Sequence, residues 1–116
     1  MILTDFSNMQ IYLKPGFTDM RKSINTLSIV VESEMNLDLF TQSMFIFCNK
    51  KRDIIKMLYW DKNGFCLWQK KLEKDKFQWP ESEEEVMEIT DFKLHWLLRG
   101  IDLNRAHGIL NYSNVV

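Results

Sequence analysis

Apolar residues follow two rhythms along this chain. Met20, Ile24, Leu27 and Val31 recur at spacings of four, three and four. That is the stripe of an amphipathic helix, and it runs to about Met35. Thr18 stands where an N-cap belongs, Asp19 follows in the first turn, and Asn36 supplies a stop. Elsewhere the apolar residues come in short aromatic and branched runs of strand length, at 9–14, 44–48, 54–60 and 65–70. Pro15-Gly16 closes the first run. Residues 49–53 join the second run to the third, and residues 61–64, with an Asn-Gly pair, join the third to the fourth. Both links read as hairpins, so the three runs form an antiparallel meander. Phe77-Gln78-Trp79, ahead of Pro80, is a candidate fourth meander strand, and residues 81–85 read as a loop or linker. Thr90 then caps a second helix over 91–99, with Leu94, Leu97 and Leu98 on one side and Gly100 just past its end.

This order predicts an α+β fold. It has a small antiparallel sheet, a meander of three to four strands plus an N-terminal strand, with one amphipathic helix packed on it and a short C-terminal helix. Residues 1–104 are expected to form a single domain and 105–116, which lack periodicity, a loosely ordered tail. A length of 116 residues suits one domain. Such a chain buries enough surface to fold without a disulfide or a metal. Two cysteines, Cys48 and Cys66, cannot build a disulfide framework and suit a reducing compartment. There is no apolar run of membrane-spanning length, and residues 1–5 lack the basic-then-apolar order of a signal peptide. A cytoplasmic protein with no membrane partner is expected.

The net charge of −1 conceals a strong asymmetry. Residues 50–80 carry nine basic and four acidic groups, whereas residues 81–91 carry six acidic groups and no basic one. A basic middle raises the expectation of a polyanion-binding face. The competing reading is two solvated segments that partly neutralise each other.

Four ordered motifs carry a family resemblance: Thr18-Asp19-Met20-Arg21-Lys22-Ser23; the run from Phe47 through the Lys50-Lys51-Arg52 loop to Phe65; Leu67-Trp68-Gln69-Lys70-Lys71-Leu72-Glu73 with Phe77-Gln78-Trp79-Pro80; and the stretch from Ile89-Thr90 to Ile101-Asp102. The resemblance they carry extends over about residues 9–104. The chain resembles the small accessory proteins of the insertion sequence 66 family of bacterial mobile elements, the TnpB type that is unrelated to the RNA-guided nuclease. The resemblance implies a role in transposition beside a separate, larger transposase. It implies no catalytic residues, and nucleic-acid binding is its usual inference.

The residues themselves make DNA contact the leading expectation. Lys50, Lys51, Arg52, Lys56, Lys62, Lys70 and Lys71 lie on or near hairpin turns, and lysine and arginine release counterions when they meet phosphates. Arg21 and Lys22 fall in the expected first turn of helix 1, where cations oppose the helix dipole and an anion would relieve them. The aromatic rings among these cations are either core or base-stacking surfaces. Alternation selects Trp60 and Trp68 as the stacking candidates, on a sheet face opposite the first helix. The rival is an adaptor that docks on the cognate transposase through Glu83, Glu84 and Glu85 or through Leu94, Leu97 and Leu98. Asp53 and Asp61 fit hairpin turns better than a nuclease centre. Cys48, Cys66, His95 and His107 lack zinc-site spacing, so no metal and no cofactor is expected.

Overall fold

The computed structural model describes residues 8–81 and 86–100. Its elements run β1 (Gln10–Leu13), α1 (Ile24–Ser33), β2 (Ser43–Cys48), β3 (Ile54–Asp61), β4 (Gly64–Lys71), β5 (Met87–Ile89) and α2 (Asp91–Leu98). The strands form one sheet in the order β4-β3-β2-β1-β5. β1 and β2 pair in parallel, joined by α1 as a crossover, and the other pairs are antiparallel. The fold is α+β, as the pattern predicts.

Both faces of the sheet are covered, so β2 at its centre is buried along its whole length. On one face α1 lays Leu27, Val30 and Val31 over Phe45, Phe47 and Leu58. On the other face α2 and the segment around Phe77 and Trp79 cover Met44, Ile46, Ile55 and Met57. Removal of these rings and branched chains from water is the main force holding the layers together.

The structure departs from the sequence reading in five places. First, α1 begins at Ile24 and its cap is Ser23, whose side chain accepts from the Thr26 amide. Thr18 is buried instead, with its amide donating to the Cys48 carbonyl at 2.7 Å. Tertiary pairing has therefore drawn Thr18 onto the end of β2, and residues 19–22 make a separate turn. Second, the stretch after the acidic block contains a strand, β5, which pairs with β1 through Ile11 and Ile89. Third, Phe77-Gln78-Trp79 is no strand; Phe77 and Trp79 are buried as a cover over the sheet. Fourth, the β3–β4 turn centres on Lys62 and Asn63, with Lys62 in the left-handed region at φ 55°, while Gly64 already pairs with Asp61.

The fifth concerns the faces. Trp60 pairs with Phe65 and Trp68 pairs with Met57. Trp60 therefore lies on the α1 face and Trp68 on the α2 face, so the two do not share an exposed surface. The expectation that α1 packs opposite Trp60 is reversed.

The Asn36 stop and the second cap hold. Asn36 adopts φ 56°, and the Thr90 side chain accepts from the Lys93 amide at 3.2 Å. Residues 105–116 lie outside the described residues.

Candidate nucleic-acid interface

The β2–β3 loop is built around Asn49. Its side-chain oxygen accepts from the Asp53 and Ile54 amides at 3.0 Å each, and its side-chain amide donates to the Asp53 carboxylate at 2.7 Å. Hydrogen bonding from Asn49 holds the Asp53 carboxyl below its ordinary range, with Lys76 and Lys71 adding to the effect. Arg52 completes the turn at φ 63°, and its carbonyl accepts from the Phe77 amide at 2.7 Å. The loop is thus tied internally and to the following segment, and Lys50 and Lys51 project from a fixed base.

Beside it runs the 15–22 segment. Lys56 donates to the carbonyls of Met20 and Lys22, at 2.5 and 3.3 Å, and fastens this segment to the sheet. Asp19 and Arg21 form a two-pronged ion pair, with Nη2 to Oδ2 at 2.7 Å. The Arg21 hydrogen bond drives the Asp19 pKa down to about 2.

Between loop and segment lies an open groove of about 480 Å³. Arg21, Lys50, Lys51 and Lys71, from three separate parts of the chain, line it together with Phe17. Lys50, Lys51 and Lys71 are exposed and enter no ion pair among the described residues. The two carboxylates in the groove wall, Asp19 and Asp53, are those already held by Arg21 and Asn49. Thr18 also lines it, and its buried hydroxyl has no hydrogen-bond partner.

The remaining sequence candidates go elsewhere. Arg52 turns away to pair with Glu81 at 3.0 Å. Lys56 is committed to the Met20 and Lys22 carbonyls, and Lys70 donates to the Leu98 carbonyl at 2.7 Å. Lys22 is half-buried and does not line the groove. Lys62 sits in the turn at the far end of β3; eight residues at a strand rise of roughly 3.3 Å place it about 25 Å from the 49–53 loop. The two hairpin turns therefore cannot converge on one surface, as an antiparallel pair puts successive turns at opposite ends.

Leu94, Leu97 and Leu98 are buried in the domain's own core, so no leucine face of α2 is open to a partner. Glu83, Glu84 and Glu85 lie outside the described residues. Trp68 packs half-buried against the α2-side core, and Trp60 meets Phe40 and Phe65 edge-on with centroids 5.1 and 5.0 Å apart. Among the described residues no group of three or more His, Cys, Asp or Glu side chains gathers as a metal site would.

The residue that pattern reading passes over is Phe17. It is 61% exposed, and Lys50 Nζ stands 5.6 Å from its ring centroid. Its signal in the sequence is a large apolar ring directly after Pro15-Gly16, in a turn that belongs to neither periodic pattern.

The chain has similar proteins in Sinorhizobium fredii. The uncharacterized protein y4hO is 30% identical over 101 residues, covering 87% of this chain and 88% of that protein. The uncharacterized protein y4jC is 30% identical over 88 residues, covering 76% of this chain and 75% of that protein. No solved structure matches. The family model described as IS66 Orf2 like protein matches residues 9–108, from the start of the sheet to beyond α2. With nearly the whole chain matched, the protein belongs to the IS66 Orf2-like family, the accessory proteins associated with transposition of that class of insertion sequence.

Proposed function

We propose that this protein supports transposition without catalysing it, by electrostatic contact between the 49–53 end of its sheet and DNA of the element. The observation that supports this reading is the meeting of Lys50, Lys51 and Lys71, with the ion-paired Arg21 beside them, around one open groove, on backbone that Asn49 and Lys56 fasten in place. Each phosphate they neutralise frees a condensed counterion, so affinity falls steeply as salt rises. In a near-neutral chain, cations that meet around one groove raise the local potential there and attract a polyanion to that groove.

The test is a salt-titrated anisotropy assay with fluorescent oligonucleotides. Lys50→Ala/Lys51→Ala/Lys71→Ala should bind more weakly at low salt, and the slope of log affinity against log salt should shrink by about 2 to 3. An unchanged slope refutes the assignment. One observation favours a second reading, docking on the cognate transposase: Phe40 is 61% exposed and packs on half-buried Trp60 and Phe65. That reading expects no DNA binding at low salt, and co-purification with transposase that Phe40→Asp abolishes.

A further inference from the structure

We propose that Phe17 is a base-stacking platform and that the nucleic acid taken by this groove is single-stranded. The inference rests on the electrostatic reading above and adds to it the form of the ligand.

The exposure of Phe17 is built into the backbone. On one side, the Gly16 amide donates to the Pro80 carbonyl at 3.0 Å, with Gly16 at φ 75° where a side chain would be strained. On the other side, the Thr18 amide donates to the Cys48 carbonyl, and Thr18 is only 5% exposed. Trp79 Nε1 ties the same segment down through the Lys14 carbonyl at 3.0 Å. The chain is therefore anchored immediately before and after Phe17, yet the ring between those anchors faces water. An apolar ring held out in this way forgoes burial that the adjacent core could have given it.

Its surroundings match a single strand. The ring stands on the ridge between two depressions, for Phe17, Asn49 and Lys50 line both. The larger holds the free cations Lys51 and Lys71 and suits phosphates. The smaller, about 240 Å³, contains the Arg52–Glu81 pair, which leaves Lys50 as its one cation outside an ion pair and makes it a poorer phosphate track than the larger. A strand laid with its backbone along the larger groove would turn its bases toward the ring and the smaller depression. Cation-flanked aromatics that take successive bases on their faces are the general device of single-strand binders. In a duplex the base faces are already stacked on one another, and an outside ring reaches one only after unstacking it.

The experiment compares wild type, Phe17→Ala, Phe17→Trp and the Lys50/Lys51/Lys71 triple alanine variant. The probes are labelled oligothymidylate, oligouridylate, an abasic strand of equal length, and the oligothymidylate annealed to its complement. Phe17→Ala should weaken oligothymidylate binding roughly 5- to 150-fold, while Phe17→Trp restores it. Affinity for the duplex and the abasic strand, and the salt slope, should not change, because phosphate contacts remain. The oligouridylate arm separates RNA from DNA as the source of the strand. Equal loss on all probes, or no loss on any, overturns the stacking role while the triple variant still reports on the electrostatic reading. Wild type that prefers duplex overturns the single-strand assignment alone. A triple variant that binds as wild type does removes the electrostatic reading and this inference together. Since the ring is exposed, Phe17→Ala should melt with wild type, so a loss of binding is not a loss of fold.

Discussion

The ammonium of Lys70 lies 2.7 Å from the carbonyl oxygen of Leu98, so a lysine on edge strand β4 closes the C-terminus of α2. The last carbonyls of a helix have no partner within it, and a cation there also meets the negative end of the helix dipole. This contact bolts α2 to the sheet. It also takes Lys70 out of the set of cations that a polyanion could use.

Lys70→Met keeps the aliphatic stem and removes the ammonium. It should destabilise the protein by ~1.5–3 kcal/mol, the range for a hydrogen bond to a charged group. Urea denaturation measures the loss. The salt slope of oligonucleotide binding should stay at the wild-type value, in contrast to the Lys50/Lys51/Lys71 variant. A stable Lys70→Met protein with a reduced slope would return Lys70 to the interface.

Leu94 is fully buried beneath α2. Leu94→Ala should cost about 2–5 kcal/mol, the span for deleting a buried leucine side chain. A leucine that served only to meet a partner would change stability by less than about 0.5 kcal/mol. Chemical denaturation of the isolated protein distinguishes the two.

Gly100 has φ 73°, and a Cβ added there would lie 2.9 Å from Leu72 Cδ1. Gly100→Ala should lower stability by roughly 1–2 kcal/mol from the left-handed backbone alone, with the contact adding to it. Gly64→Ala is the control. A Cβ there meets nothing within 4 Å, so melting should be unchanged or slightly raised.

The Asp19–Arg21 pair sets a pH signature in the groove wall. Asp19 titrates at about 2 in the folded protein against an ordinary value of 3.8. A depressed folded pKa contributes stability above the unfolded value, and that contribution disappears as pH falls from about 4 toward 2. A carboxyl-detected NMR titration should place the Asp19 midpoint near 2, and Arg21→Ala should bring it back toward its ordinary value. A midpoint unmoved by Arg21→Ala would show that the pair does not form in solution.

The strands β2, β3 and β4 and both helices were legible because each is long enough for its periodicity to register, and their hairpins because the links are short. β5 was not, since Met87-Glu88-Ile89 buries only Ile89 and exists because β1 offers it an unpaired edge. Thr18 and Ser23 carry the same local capping signal; what separates them is the Cys48 carbonyl, 30 residues further along, that takes the Thr18 amide. In the candidate site, the sequence supplied the pool of cations but not their sorting. Lys51 and Lys56 look alike in composition, yet one projects from a loop and the other is spent on two carbonyls.

By itself, the sequence determined the α+β class, the basic middle segment and the family, for these depend on spacing, charge and motif order within short stretches. Only the tertiary structure decided which face each tryptophan occupies, which lysines are free, and that Arg21 and Lys71 share a groove with the 49–53 loop. The reason is physical. Alternation relates residues within one strand, but cross-strand register and hydrogen-bonding partners come from contacts between segments far apart in the chain.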